Sequence, residues 1–382
     1  MHKPPPRQRV LLLSTVHSMT DPRIAGKIAL SLEEYYEVYT IAVAAPKEYF
    51  KPPGMDKNGV AFKHHFSQLP YFQHLIWRLL WVHPMVFIKF LWIRPHIVHI
   101  FVAELLPLAF VFRWLGAEIV YEVQENLYKK LPLKTYNRGW LFENVFRYFD
   151  HRARRLFKFV FTEDAYLNEY QNLQQPYAIV HNFATSQWLS QPVPVPDLQR
   201  PTFFYAGVIS FERAFDTLLS AMVIVKQHYP NLVLHLFGHL RIPQQTLNER
   251  EDYRQVNENL IFHGYVPQQL AFLHARKALA GIALLKPVGD YTDSYPTKLF
   301  DYMALGLPVI TSDLPLLKAV VEPNQCGFCV SPYDAEALAA AMLACIEYPK
   351  KWQSMGENGR NAIKTTYNWE NEAKKLVELY QK

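Results

Sequence analysis

Short apolar runs alternate with amphipathic helical patterns along nearly the whole chain. The runs are rich in Val, Ile, Leu and Phe, and most are followed by apolar residues at helical spacing. Such alternation is typical of parallel sheets covered by helices. The pattern therefore predicts an α/β protein with strands at Val10–Val16, Val38–Ala44, Ile97–Val102, Ile119–Val123, Phe159–Thr162, Ile179–Val180, Phe203–Ala206, Leu232–Phe237, Ile261–Phe262, Ala280–Leu285 and Val309–Thr311.

A Pro-rich segment, Pro192–Pro201, interrupts this alternation. Neither a helix nor a central strand tolerates proline at this density, so we interpret the segment as a hinge. A chain of 382 residues is also longer than one ordinary core and suits two domains. We expect two doubly wound, Rossmann-like domains facing across a cleft, the first over residues 1–190, with ligand at the carboxyl ends of the strands.

Two carboxylates, Asp293 and Asp301, stand eight positions apart around a Pro-Thr-Lys turn. Asp301 is expected on the first turn of a helix at Thr297–Ala304, and Asp293 in the loop before it. Between them, Lys298 and the free N–H groups of the helix start offer positive charge and hydrogen-bond donors to a phosphate. The spacing suits a nucleotide-sugar pocket. The alternative is an ordinary strand-connecting unit whose acids are solvated.

A second cation stands at a strand-to-helix junction. The strand Phe203–Ala206 ends at Gly207, and a helix is predicted to begin near Arg213. Together, Arg213 and Lys298 could neutralise a diphosphate, each charge-assisted hydrogen bond contributing about 1.5–3 kcal/mol. Taken alone, an arginine at such a junction is more often a surface residue.

The first half carries its polar candidates in the loop after the first strand. His17, Asp21 and Arg23 lie between that strand and a helix predicted along Ile24–Leu32, where they can face the cleft. The alternative is a helix cap by Thr20 or Asp21, with Pro22 at the first helical position. The two interpretations are compatible.

Charge and aromatic residues set the first half apart. Residues 1–190 hold 22 Lys and Arg against 15 Asp and Glu, whereas the remainder holds 18 against 19. A cationic half is compatible with nucleic acid, anionic lipid or a phosphorylated acceptor. The segment Tyr71–Arg94, which Pro84 is expected to divide into two helical pieces, suits an interfacial membrane helix with snorkelling cations; the alternative is a pair of core helices. Its aromatic and basic side chains are Trp77, Arg78, Trp81, Phe87, Lys89, Phe90, Trp92 and Arg94.

Several other features carry no chemistry in this interpretation. Cys326 and Cys329 form a single CxxC pair without a second one, so we expect neither a redox nor a zinc site. His235, His239 and His263 lack ligand spacing and are expected to be structural. The N-terminal apolar run is too short for a secretory signal, and no stretch reaches the roughly 20 uninterrupted apolar residues that span a bilayer.

These motifs resemble the retaining GT-B glycosyltransferases of family 4, also called group 1. The pair Asp293-x7-Asp301 resembles that family's Glu-x7-Glu signature, and the run from Arg213 to Asp216 resembles its phosphate-grip helix start. The segment Phe262–Pro267 corresponds to the loop whose backbone reads the nucleobase in relatives. The opening His17, Asp21, Arg23 and Ile24 is similar to the "H-x-x-x-D-x-R-I" start of many bacterial capsule and exopolysaccharide transferases.

The chain also departs from the family pattern. Val208 replaces a grip arginine, so the grip has one cation fewer and Lys298 is expected to compensate. Gln124 replaces a histidine in the family's Tyr-Asp-x-His-Glu, and Phe101 and Val102 replace the His and Asp of its His-x-His-Asp. In relatives a cleft-facing histidine helps to hold the transferred sugar. Either another group, His17 or Glu125, takes that role here, or the sugar is held differently.

The resemblance implies a GT-B fold with a second domain at residues 191–366 and a terminal helix at residues 367–382 that crosses back to the first. It implies a cytoplasmic, metal-independent hexosyltransferase, peripheral on the inner face of the plasma membrane through residues 71–94 and binding no nucleic acid. This enzyme takes a UDP- or GDP-sugar as co-substrate, has no other cofactor, and transfers the sugar with retention to a glycan or lipid-linked acceptor in exopolysaccharide, capsule or lipopolysaccharide assembly. The sequence contains no Asp-x-Asp motif that would hold a catalytic metal.

The implied roles divide the candidate residues into three groups. Arg213, Lys298 and Asp293 are catalytic; Gly207, Gly238, Val266, Thr297 and Asp301 bind the nucleotide sugar; His17, Asp21, Arg23 and Glu125 lie on the acceptor or sugar side. Two alternatives remain open: a nucleotide-sugar epimerase of GT-B fold, and a non-catalytic glycosyltransferase-like partner of a membrane enzyme.

Overall fold

The computed structural model describes residues 7–44, 64–131 and 140–382. The chain divides into two units: unit 1 is Met1–Asn182 with Glu372–Lys382, and unit 2 is Phe183–Asn371. Residues 183–190, assigned to the first domain from sequence, lie in unit 2 because Phe183 and Trp188 pack into its core. The Pro-rich hinge segment therefore falls inside unit 2 rather than at its edge.

Within the described residues, unit 1 contains a seven-stranded sheet in the order β3-β2-β1-β4-β5-β6-β7, with every neighbouring pair parallel. The strand predictions for this half are confirmed, except that β3 was missed. Strand β3 lies at the sheet edge and its sequence, HHFSQL, has no apolar run to reveal it. The strands are β1 Arg9–Ser18, β2 Glu37–Val43, β3 His64–Leu69, β4 Ile97–Ile100, β5 Glu118–Val123, β6 Lys158–Phe161 and β7 Tyr177–Ile179.

Helices cover this sheet and bury a core of aliphatic and aromatic side chains against it. A π-helical turn, Ile24–Ala29, leads into the first α-helix, and a second π-helical turn, Arg78–Val82, joins the next two. The α-helices are α1 Leu30–Leu32, α2 Leu75–Trp77, α3 His83–Ile93, α4 Leu106–Trp114, α5 Leu127–Lys130 and α6 Trp140–Leu156, and the 3₁₀ turns are Ala103–Leu105 and Asp164–Asn168.

The helical run from α2 to α3 corrects two expectations. Pro84 does not divide it: the run is continuous from Leu75 to Ile93, and the segment that directly precedes α3, Arg78–Val82, is π-helical. Arg78 is not a snorkelling surface cation. It is only 7% exposed, and its guanidinium donates to both carboxylate oxygens of Glu104 and to the Phe72 carbonyl.

Unit 2 repeats the same topology on a smaller scale. Its described residues form a six-stranded parallel sheet in the order β10-β9-β8-β11-β12-β13. The strands predicted here are confirmed; β13, another edge strand, was missed because it opens on a glycine and is only half-buried. The strands are β8 Thr202–Ala206, β9 Val233–Phe237, β10 Leu260–Gly264, β11 Ala280–Ala283, β12 Val309–Ser312 and β13 Gly327–Val330.

The helices of unit 2 pack on both faces of this sheet. The sheet therefore lies between two clusters of core residues. The last helix starts in unit 2 and ends in unit 1. The helices are α7 Phe215–His228, α8 Gln244–Glu249, α9 Glu251–Val256, α10 Gln268–Ala275, α11 Thr297–Leu305, α12 Pro315–Val321, α13 Ala335–Glu347, α14 Pro349–Thr365 and α15 Trp369–Gln381, and the 3₁₀ turns are Ser186–Ser190, Phe211–Arg213 and Asn257–Asn259.

A network of charged side chains lies in the core of unit 1. The Arg23 guanidinium donates to both oxygens of Glu122, at 2.8 and 3.1 Å, and to the Val180 carbonyl. His99 Nε2 lies 3.6 Å from the same carboxylate, and His99 Nδ1 lies 2.7 Å from the Tyr380 hydroxyl on α15. Arg23, Glu122, His99 and Tyr380 are all at most 5% exposed. The network thus fixes α15 to the sheet.

Burial and charge act in opposite directions on this network. Burial would raise the pKa of Glu122, but Arg23 and His99 hold that pKa below its usual value. Burial lowers the pKa of His99 to about 4, although the Glu122 carboxylate acts the other way. At neutral pH the core therefore contains an arginine–glutamate ion pair beside a neutral imidazole.

Replacing Glu122 with Gln should destabilise unit 1, because it leaves the Arg23 guanidinium buried without its counter-charge. We expect the free energy of unfolding, measured by urea denaturation, to fall by about 3–5 kcal/mol. The matched control is Glu143→Gln, whose carboxylate pairs with Arg147 while both side chains remain more than 40% exposed. Removing that exposed pair should lower the free energy of unfolding by less than about 1 kcal/mol. Equal losses in the two variants would contradict the structural role of the buried pair.

His99 should make unit 1 sensitive to acid. Its pKa is lower in the folded protein than in the unfolded chain, so its stabilising contribution is complete above about pH 6.5 and is lost as the pH falls toward 4. Between pH 7 and pH 5 we expect this residue to account for about 2 kcal/mol of lost unfolding free energy. Urea denaturation of His99→Asn should show a shallower pH dependence than the parent, whereas exposed His151→Asn should not. An unchanged pH dependence in His99→Asn would refute the assignment.

Candidate functional site

The ends of three neighbouring strands in unit 2 form the floor of the candidate site. Strand β8 is followed by Gly207 and β9 by Gly238, and both glycines have left-handed φ values, 131° and 128°. The Gly238 N–H donates to the carbonyl of Gly264, the last residue of β10. A Cβ atom on Gly238 would lie 2.1 Å from the Gly207 carbonyl oxygen, so only glycine fits there. The three strand ends are therefore held close together.

Gly207 lies at the topological switch point of the sheet. Strand β8 pairs with β9 on one side and with β11 on the other, and the chain proceeds from β8 outward to β10 before returning to β11. In open parallel sheets, ligands bind beyond the carboxyl ends of the strands at this position. The topology of the sheet thus indicates the loop after β8 as the position where a ligand would bind.

Arg213 reaches back over this switch point. It closes the 3₁₀ turn Phe211–Arg213, Ala214 adopts a left-handed conformation, φ 53°, and α7 begins at Phe215, which confirms the helix start predicted near Arg213. Arg213 Nη1 lies 3.2 Å from the position of a Cβ on Gly207. Glycine at 207 therefore leaves space directly beneath the guanidinium.

Lys298 approaches the same point from α11. It is only 6% exposed, and its Nζ has no hydrogen-bond partner among the described residues. Nζ lies 3.8 Å from the centre of the Tyr205 ring and 4.0 Å from the position of a Cβ on Gly207. Burial, and then the nearby Arg213 guanidinium, hold the pKa of Lys298 well below its usual value. An anion bound above Gly207 would offset both the burial of Lys298 and its repulsion by Arg213, and so would raise the pKa of Lys298.

The acid pair brackets this cation along the chain. Asp301 is the fifth residue of α11 and so starts its second turn, not the first as predicted. It is 8% exposed, and its Oδ2 accepts a hydrogen bond of 2.8 Å from Gln268, the first residue of α10. Asp293 lies half-buried in the preceding loop, where its N–H donates to the Asp290 carbonyl. Thr297, the first residue of α11, is exposed.

The sequence did not reveal three aromatic side chains at this site. In the sequence pattern, Tyr205 and Tyr302 cannot be distinguished from ordinary core residues, and Tyr291 lies in a polar loop. In the structure the Tyr302 hydroxyl accepts the Ala206 N–H, and the Arg213 guanidinium lies 5.9 Å from the centre of the Tyr291 ring. The nucleobase-loop candidate Val266 is half-buried two residues before α10.

The candidates of the first half have partners inside unit 1. His17 Nδ1 lies 2.9 Å from the Ser14 hydroxyl, and Glu125 is exposed, 3.2 Å from Lys130. The Asp21 carboxylate accepts the backbone N–H groups of residues 23 and 24, which is the capping role weighed above. Arg23 is buried and bound to Glu122, so the structure gives it a role in the core.

Part of the chain is similar in sequence to known glycosyltransferases. The family model described as glycosyl transferases group 1 matches residues 186–362. A curated relative, the MMP α-(1→4)-mannosyltransferase of Mycolicibacterium hassiacum, is 28% identical over 120 residues, which are 31% of this chain and 28% of that protein. The chain thus spans less than a third of this relative's length in the match.

Two solved structures share the architecture of the whole chain. Sucrose-phosphate synthase from Thermosynechococcus elongatus aligns over 98% of both chains with a TM-score of 0.72 at 17% identity. The Anabaena protein HepE, solved in complex with UDP and glucose, aligns over 98% of this chain and 99% of its own with a TM-score of 0.68 at 12% identity. The chain has the GT-B fold of two Rossmann-like domains, and its residues 186–362 form a glycosyltransferase group 1 domain.

Proposed function

We propose that this protein is a retaining, metal-independent hexosyltransferase that uses a UDP- or GDP-sugar. Its acceptor is a glycan or lipid-linked sugar in bacterial exopolysaccharide, capsule or lipopolysaccharide assembly. The observation that carries the proposal is the convergence of Arg213 and Lys298 above Gly207, at the switch point of a glycosyltransferase group 1 domain. The binding of UDP by HepE, which shares the fold, supports a nucleoside diphosphate donor.

The two cations suit the departing diphosphate. When the bond between the sugar and the diphosphate breaks, negative charge develops on the leaving phosphate oxygens. Arg213 and Lys298 are already in place and partly desolvated, so they stabilise this charge with little reorganisation. The leaving phosphate takes the proton of the acceptor hydroxyl as that hydroxyl attacks on the same face, so no covalent nucleophile is assigned.

The carboxylates suit the hydroxyl groups of the donor. Asp301 accepts hydrogen bonds from the ribose and Asp293 from the transferred sugar. The Gln268 hydrogen bond orients Asp301, while Val266 and its neighbours offer main-chain groups to the base. On the sugar side we assign His17 or Glu125, because neither side chain is buried in a core ion pair as Arg23 is.

We also propose that unit 1 rests on an anionic membrane through the run from Leu75 to Ile93. This run is long and apolar enough to cross a membrane by length and composition, a test that core helices of soluble proteins also pass. Val86 and Phe90 are buried in the core of unit 1, which favours lying on the surface over crossing it. The exposed face carries large apolar side chains: Ile76, Trp77, Leu80, Trp81, Ile88, Leu91 and Trp92.

Basic groups border this apolar face. Arg94 follows α3 directly, and Arg113 lies in the last turn of α4, which packs on α3 through the stacked rings of Phe90 and Phe112. Trp114, which follows Arg113 in the chain, is 84% exposed. Aromatic side chains beside arginines suit the headgroup region of an anionic bilayer. A lipid-linked acceptor would be presented at such a surface.

Diphosphate binding tests the cation pair. Lys298→Met and Arg213→Ala should each weaken UDP or GDP binding, measured by calorimetry, by roughly tenfold to a hundredfold, since each removes a charge-assisted hydrogen bond worth about 1.5–3 kcal/mol. At alkaline pH, binding should also take up a proton in the parent but not in Lys298→Met, because the lowered pKa leaves Lys298 partly neutral before the ligand arrives. Calorimetry in buffers of different ionisation enthalpy measures this uptake.

The control for these variants is Lys226→Met, which removes a half-buried lysine of unit 2 whose solvent-exposed hydrogen bond runs to the Gln255 carbonyl. Its affinity should match the parent. Unchanged affinity in Arg213→Ala would contradict the grip. If the parent binds no UDP, GDP or ADP, the non-catalytic partner is favoured instead; if UDP-sugars alone are epimerised, the epimerase is favoured. A screen of sugar nucleotides for acceptor-dependent nucleotide release identifies the donor.

Flotation with liposomes tests the membrane surface. Replacing both Trp81 and Trp92 with Gln should reduce binding to anionic vesicles more than tenfold, because losing the burial of about 60 Å² of apolar surface already costs about 1.5 kcal/mol. The control is Tyr333→Gln, which removes an exposed aromatic ring of unit 2. Undiminished flotation of the double variant, or an equal loss in the control, would exclude this surface as the membrane contact.

A further inference from the structure

Three histidines of unit 2, none of which belongs to the cation pair described above, converge on one another. His235 lies on β9, His263 on β10 and His274 in the last turn of α10. One ligand nitrogen from each lies within 4.8 Å of the other two. His235 Nδ1 and His263 Nε2 are 2.8 Å apart. From the sequence, His235 and His263 were expected to be structural, since the third member of the cluster, His274, comes from a helix and becomes their neighbour only in the folded chain.

The local fold brings the three rings together. The register between β9 and β10 shifts between Phe262 and Gly264, and the residue at the shift is His263. Such an irregularity redirects a side chain, here toward α10. The Phe237 ring stacks on His263 at a centroid distance of 4.1 Å and an angle of 3°. The cluster therefore has an apolar wall on one side, while His274 leaves it open to solvent on the other.

The three imidazoles are suited to bind a cation rather than to carry charge. Among the described residues, none of the three forms an ion pair with a carboxylate. Burial lowers the pKa of His235 to about 4, with smaller contributions from His274, His263 and Arg200, and burial also lowers the pKa of His263. Neutral imidazole is the form that coordinates a metal.

We propose that His235, His263 and His274 form a structural binding site for a borderline divalent transition metal, with Zn²⁺ as the expected ion. A tetrahedral zinc with nitrogen ligands at 2.0–2.1 Å holds those nitrogens roughly 3.3–3.4 Å apart. The distances here bracket this value, so small side-chain rotations complete the site. Water fills the fourth position. A hard cation such as Mg²⁺, which prefers oxygen ligands, does not bind.

The metal would fix α10 at its C-terminal end. At its first residue, Gln268 already holds α10 to Asp301 on α11. A bound ion would link His274, near the other end, to two strands of the sheet. The segment between His263 and Gln268, which follows β10, is then held at both ends. This role is structural and is independent of the proposed transferase reaction.

The experiment uses the full-length chain with any histidine tag removed, since such a tag binds the same ions. Calorimetry with Zn²⁺ should give one site per chain, and Co²⁺ should give the visible absorption of a four-coordinate ion with nitrogen ligands. Zn²⁺ at a hundred times its dissociation constant should lower the equilibrium constant for unfolding about a hundredfold. Hydrogen exchange along residues 260–275 should slow on addition of Zn²⁺.

The decisive variant is His274→Ala, which changes an exposed side chain and leaves the strands intact. It should weaken Zn²⁺ binding at least tenfold and abolish the slowed exchange. The matched control is His239→Ala; His239 is an exposed histidine of the same unit that stacks on Tyr265 outside the cluster. The proposal is overturned if the parent binds no Zn²⁺, if Mg²⁺ binds equally well, or if the two variants bind Zn²⁺ alike.

Discussion

The close approach of the Gly238 backbone to the Gly207 backbone is the constraint on which unit 2 depends. A single added carbon at position 238 would collide with the Gly207 carbonyl, so the ends of β8 and β9 meet only because residue 238 has no side chain. This contact therefore sets the positions of the loops that follow these strands. Arg213 comes from one of them, and Lys298 reaches the same point from α11, which packs beside the sheet.

The two units use the same strand order but treat charge differently at their switch points. In unit 1, Arg23 follows β1, and its charge is neutralised by Glu122 on the nearby β5. In unit 2, Lys298 is buried without a hydrogen-bond partner among the described residues, close to a second cation. A buried, uncompensated charge destabilises the protein that contains it, and such arrangements concentrate at binding sites. The contrast explains why the nucleotide site is assigned to unit 2.

The sequence predicted the central strands and the cation pair, because both depend on local patterns. Apolar runs mark buried strands, and Gly207 at the end of one such run marks the strand-to-helix junction in which Arg213 lies. The edge strands β3 and β13 were missed because a half-exposed strand needs no continuous apolar run. The burial of Arg78 and the histidine cluster could not be predicted either, since Glu104 and His274 become their neighbours only after the chain has folded.

Helix α15 has a consequence for how the protein is made. Its residues from Glu372 onward belong to unit 1, where Leu376, Leu379 and Tyr380 are almost fully buried. During synthesis the strands β1 to β7 leave the ribosome first, but the layer that covers His99 arrives last. Unit 2 is one continuous segment and can fold as it emerges, whereas unit 1 must wait for residues 372–382, which are made after unit 2. A prematurely terminated chain would therefore expose an incomplete core in its first half, which chaperones and proteases can recognise.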